Sequence, residues 1–171
     1  LPSDGKITAS REDMRWQIDL LDFSKRASSK GSKYALVVTD LFTKEAWVEK
    51  MQNKTDQETK DAMRKIIGNN NNITPKEISV DLGNEFGPRF TQYLEDKGTK
   101  IRKKNPQQVN SIAGVDRIQQ SIKNILKNIQ GSDGWGKHIK KATSIYNDQE
   151  HSSLYGAAPD EVSENKVLQY Y

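Results

Sequence analysis

Apolar residues recur along this chain with two periods, and the change from one to the other marks the predicted elements. Arg15–Phe23 is an apolar run around one acid, Asp19, and predicts a central strand. A basic, Ser/Gly-rich turn follows at Ser24–Lys33. Tyr34–Thr39 and Glu45–Lys50 predict two more strands about a turn at Asp40–Lys44, so the first three strands should form an antiparallel meander. Thr55 and Glu58 have capping-box spacing and open a helix to about Ile67 that buries Ala62, Met63, Ile66 and Ile67. Gly68 and the Asn run 69–72 should end it.

The second half alternates strand and helix. Glu77–Val80 predicts a short strand, Phe86–Asp96 a helix capped by Gly98, and Thr99–Arg102 a last strand. Lys103–Ser111 contains Pro106, has neither period, and predicts a mobile loop. Ile112, Val115, Ile118, Ile122, Ile125, Leu126 and Ile129 then fall at helical spacing. Gly131–Gly136 interrupts that pattern, and Trp135–Asn147 resumes it. The order predicts a mixed α/β sheet with helices packed on it, its later strands joined by parallel crossovers.

Composition narrows the classes. The 171 residues suffice for one domain, with residues 1–13 as a flexible polar arm and 14–171 as the core. Mean hydropathy is −0.87, yet the periodic apolar segments exclude a disordered chain. The 27 basic and 23 acidic residues leave a net charge of +4, which permits an anionic partner without requiring one. No cysteine is present, so disulfides and thiolate zinc sites are excluded, and His138 and His151 are too few for a histidine-rich metal site. No run is apolar enough to span a bilayer, so no membrane partner is expected. A start at Leu1 suggests a fragment or processed product, and an intracellular location is the default.

Three acids carry the candidate chemistry. Asp19 lies mid-strand between apolar neighbours, where an unpaired charge is costly; Asp81 ends a strand, and Asp116 opens the long amphipathic helix. Singly, each has an ordinary structural role: a hydrogen-bonded buried acid, a turn residue, a first-turn helix acid. Together they could hold divalent cations. Asp40 is expected to cap its turn, and Asp22 and Glu85 lie close enough in sequence to support the site.

The segments WQIDLLDF, KYALVVTDLFTKEAWVEKMQNKT, ISVDLGNEF, NSIAGVDRIQQSIKNIL and HSSLYGAAPDEV resemble, in order and spacing over about residues 14–165, the catalytic core of retroviral and retrotransposon integrases. The likeness is nearest to the integrases of Polinton/Maverick-type transposons. It implies a ribonuclease H-like fold, a five-stranded mixed sheet flanked by helices, and a polynucleotidyl transferase that trims element DNA ends and joins their 3′ hydroxyls to target DNA. It further implies Mg2+ or Mn2+ held by Asp19, Asp81 and Asp116. The second motif matches as Asp81, Gly83, Glu85 and Phe86, and 34 residues separate Asp81 from Asp116. The family carries a Glu where this chain has Asp116, one methylene shorter. The resemblance assigns DNA contact to Gln120 and Lys123, with Lys127 on the same face and Lys103, Lys104, Asn105, Gln107 and Gln108 in the preceding loop. His151, Trp47 and Trp135 are expected to be structural. A homodimer or higher assembly is implied, in the nucleus if the element is eukaryotic. The alternative is a catalytically impaired, integrase-derived DNA-binding or assembly domain; a plain ribonuclease H-type nuclease fits the C-terminal segment less well.

Overall fold

A computed structural model describes residues 9–26, 31–104, 113–129, 131, 134–151, 154 and 156–164. Its five-stranded sheet has the order β3-β2-β1-β4-β5, with β1 (Arg15–Asp22) at the centre. β2 (Tyr34–Asp40) pairs antiparallel with β1, and β3 (Ala46–Met51) antiparallel with β2. β4 (Glu77–Val80) and β5 (Lys100–Lys103) extend the other side in parallel. This is the mixed α/β sheet expected from the sequence, and its topology is ribonuclease H-like.

Strict alternation on β1 builds two cores. Trp16 and Ile18 face α1 (Asp56–Asn69) and α2 (Pro88–Asp96), joining Leu36, Val38, Ile78, Met63, Ile67, Phe90 and Leu94. Leu21, with Phe23, Ala35 and Val37, faces the other layer: α3 (Ala113–Ile129) and α4 (Ile139–Asn147). There Ile118, Ile122 and Leu126 form the buried stripe of α3, and Trp135 stacks on Phe23 at 4.4 Å. Trp135 is therefore core, and half-buried Trp47 packs on Trp16 at 4.9 Å. A short α5 (Pro159–Glu164) closes the described chain.

Several boundaries differ from the sequence pattern. Gly68 lies inside α1, and the terminator is the Asn run: the Asn70 amide closes on Ile66 and Ile67, while Asn71 and Asn72 adopt φ of 54° and 57°. The capping box is half made. Thr55 accepts the Glu58 amide, but the Glu58 carboxylate turns to the amides of Gln52 and Asn53. α2 and α4 each start after a 3-10 turn, at Asn84–Phe86 and Trp135–Lys137, because Gly87–Pro88 and Gly134–Gly136 interrupt the α pattern. Gly98 caps α2 as expected, at φ 84°, with the Thr99 amide reaching Leu94 O. The expected arm ends tied down, since the Asp13 carbonyl accepts from Lys76 N.

Asp40 shows how the meander turn is locked. Wholly buried, its carboxylate accepts from the amides of Asp13, Phe42 and Thr43 and from Trp16 Nε1, at 2.7–3.1 Å. Burial still pushes its pKa up despite those donors. Asp40→Ala would orphan four donors at once and is expected to cost about 3 kcal/mol, with Asp40→Asn costing clearly less, as measured by urea unfolding.

Candidate active site at the ends of β1 and β4

The parallel register prepares the site. Gln17 on β1 lies beside Ser79 on β4, and Ser79 beside Arg102 on β5. Two residues beyond the last β1–β4 pair come Asp19, still inside β1, and Asp81, just past the end of β4 and near enough for its charge to act on Asp19. The Lys104 amide bonded to Val80 O at 2.8 Å continues the β4–β5 pairing past the last ladder residue. On β1, Gln17 and Asp19 alternate with Trp16 and Ile18 and so share the α3 side of the sheet with Leu21. Lower on the same face, Glu77 is ion-paired with Arg102 at 2.7 Å and with Arg15 at 3.5 Å.

Asp19 is the electrostatic centre. Its pKa is raised to about 6, first by burial and then by the charges of Asp81 and Asp116, while a hydrogen bond from Gln17 and the Lys104 charge pull it down. Its Oδ2 is buried without a hydrogen-bond partner among the described residues. Such an atom costs free energy unless something occupies it, and a hard divalent cation is the partner that carboxylate oxygens suit best. The residues thus fit a metal in donor chemistry. They are not drawn tightly together, however: among the described residues no three acidic or histidine side chains are gathered closely enough to hold an ion. Asp81 and Asp116 are exposed, and like charges gain nothing by closing on each other.

The other sequence candidates fall into three groups. On α3, Asp116, Gln120 and Lys127 are exposed and Lys123 is half-buried, on the face opposite Ile118 and Ile122. Asn124, which no pattern in the sequence marks, joins them through a 2.9 Å bond from Gln120. Lys103 ends β5 and is exposed, whereas Lys104 is only 5 % exposed, so neither begins the loop as expected. Asn105, Gln107 and Gln108 lie outside the described residues. Of the supporting acids, Asp22 is exposed and caps the Ser24 amide at 2.8 Å, on the face away from Asp19. Glu85 folds over Gly83, where a Cβ would meet its carboxylate at 2.3 Å, so glycine suits that position. His151 is structural: its ring packs edge-on to Tyr146 at 4.9 Å, its amide bonds to Ala157 O, and burial lowers its pKa.

Residues 9–108 match the family model described as the integrase core domain. The chain belongs to that family. The matched span includes Asp19 and Asp81 and stops short of Asp116. No curated protein matches the chain. Among solved structures, this integrase core is similar to the catalytic core domain of BIV integrase, with TM-score 0.73 and 17% identity over 93% of this chain and 99% of that one. It is similar also to the simian T-cell lymphotropic virus intasome in complex with PP2A regulatory subunit B56 gamma (TM-score 0.76, 14% identity, 94% of this chain), of whose matched chain it spans 57%. A third is the HTLV-2 integrase catalytic core domain in complex with magnesium, in a trimeric form (TM-score 0.64, 19% identity, 88% of this chain and 95% of that one). At these identities the likeness is one of fold.

The raised pKa of Asp19 fixes a sign. Proton binding is favoured in the folded state, so the group's contribution is fullest below the unfolded value of 3.8 and is lost as pH rises through about 6. In metal-free protein, Asp19→Asn is expected to raise stability at pH 7.5, by about 2 kcal/mol after solvent screening. The gain should vanish near pH 4, and a lower melting temperature for the variant at pH 7.5 would contradict the assignment.

Proposed function

We propose that this integrase core processes the DNA ends of a mobile element and joins their 3′ hydroxyls to target DNA, using divalent metal at Asp19, Asp81 and Asp116. The observation that carries the reading is the buried, partnerless Oδ2 of Asp19, on the central strand of an integrase core, within electrostatic reach of both other acids. Bound Mg2+ or Mn2+ would activate the attacking water or hydroxyl and stabilise the leaving oxygen, so no protein nucleophile is required. The chain's own residues supply the frame. β1 and its two packed faces hold Asp19 rigidly, Gln17 orients its carboxylate, and Asp81 follows the end of a parallel strand. α3 presents Asp116 at its first turn, with Gln120, Lys123 and Lys127 placed to lie along a DNA backbone. Asn105 and Gln107, outside the described residues, are assigned to the same DNA contact as part of this proposal. The core acts as a dimer or larger assembly, on nuclear DNA where the element is eukaryotic, and a transposon of the Polinton/Maverick type is its proposed source.

The competing reading, a DNA-binding or assembly domain without activity, is favoured by one observation: Asp116 is exposed and a methylene shorter than the Glu of the family. Strand-transfer and disintegration assays on branched DNA with Mg2+ and Mn2+ separate the two. Activity in the native chain is expected to fall at least 100-fold in Asp19→Asn and in Asp81→Asn. If the short arm limits the site, Asp116→Glu raises activity by a factor on the order of 100. Activity that survives in Asp19→Asn sinks the proposal, and silence in both the native chain and Asp116→Glu favours the assembly reading. For the DNA surface, Lys123→Ala and Lys127→Ala are each expected to reduce the salt dependence of binding by roughly one counterion, without changing sequence preference.

A further inference from the structure

Lys104 is a cation with an unusual address. Its backbone continues β5, with the amide bonded to Val80 O, yet its side chain crosses β4 and donates to Gln17 Oε1 on β1. The residue is 5 % exposed and Gln17 is 2 % exposed. Buried ammonium groups are rare unless paired, and here the paired acceptor is a neutral amide. The compensating charge comes from Asp19, Asp81 and Asp116, all of which act on Lys104 against the desolvation that opposes its charge. Gln17 in turn donates to Asp19, two residues on along the same face of β1. The chain Lys104–Gln17–Asp19 therefore links one internal positive charge to the carboxylate whose Oδ2 has no partner.

We propose that Lys104 is the resident counter-cation of the acid site, held by Gln17, and that it sets the affinity of the site for divalent metal. The inference rests on the metal-dependent reading above and adds a residue to it. With no metal bound, the ammonium offsets part of the repulsion among the three carboxylates, so the metal-free fold keeps its strand ends in place. When a dication enters, it meets a site already partly neutralised and binds more weakly than three bare carboxylates would allow. Lys104 is a positioning residue here, acting through Gln17 and through its charge, and it touches no reacting atom. Its exposed neighbour Lys103 is left to face solvent.

The test is calorimetric titration of Mn2+ and Mg2+ into the native chain, Lys104→Met and Lys104→Arg, with melting temperatures taken with and without metal. Lys104→Met keeps the length and loses the charge. It is expected to bind metal about tenfold more tightly, as removal of one nearby unit charge implies. Its metal-free melting temperature should fall, and saturating metal should close most of that gap. Lys104→Arg should bind as the native chain does. Unchanged or weaker metal affinity in folded Lys104→Met overturns the proposal. Should Lys104→Met not fold without metal, the Lys104 CεH2 resonances of the native chain decide: a shift on adding Mg2+ supports the proposal, and no shift overturns it. A native chain that binds no metal removes both this inference and the functional reading. Metal binding that is indifferent to Lys104→Met removes only this one.

Discussion

A charge on the middle strand of a sheet covered on both faces has few ways to persist. β1 carries Asp19 between two helical layers, with Ile18 wholly buried on one side and Leu21 nearly so on the other. Water reaches only part of the carboxylate, one oxygen finds no donor, and the pKa rises to about 6. Everything nearby is arranged around that strain. Gln17 donates from the same face, Lys104 lends a charge from two strands away, and Asp81 and Asp116 bring more negative charge instead of relief. A protein gaining stability alone would place Asn or Leu at this position. Under the function proposed above, that cost is preparation for a cation that the chain itself does not supply.

The contrast with Asp40 shows that burial alone does not create a site. Asp40 is more deeply buried than Asp19, and its pKa is raised as well. Its oxygens, however, are consumed by three amides and an indole N–H, which fasten the β2–β3 turn to the start of β1. One carboxylate is spent on architecture and the other is left open. The difference lies in donors, not in depth.

Much of this was legible in the sequence. The period-two runs gave all five strands within a residue or two, and the stripe through Ile118, Ile122 and Leu126 gave α3. Asp19 stood out because an acid flanked by Ile18 and Leu20 breaks the apolar run of a central strand. Other features depend on three-dimensional partners that local pattern does not encode. Lys104 follows Lys103 in a run of polar residues and looks like the start of a loop, yet the parallel pairing with Val80 carries it inward. Gln17 looks like any polar residue on a strand until that lysine arrives. Gly68 resembles a stop signal, but α1 runs one residue further, to Asn69, and Asn71 and Asn72 take the left-handed conformation just beyond its cap. The closeness of Asp116 to Asp19 likewise comes from how α3 packs on Leu21 and Val37, which residue spacing alone does not give.

The chemistry of this core turns on what lies beside Asp19 Oδ2. Crystals of the core soaked in Mn2+ and measured at the manganese absorption edge report that directly. An anomalous peak is expected within about 2.0–2.4 Å of carboxylate oxygens of Asp19 and Asp81. Diffraction showing no manganese there, with Asp19 protonated or bonded to a protein donor instead, would contradict it.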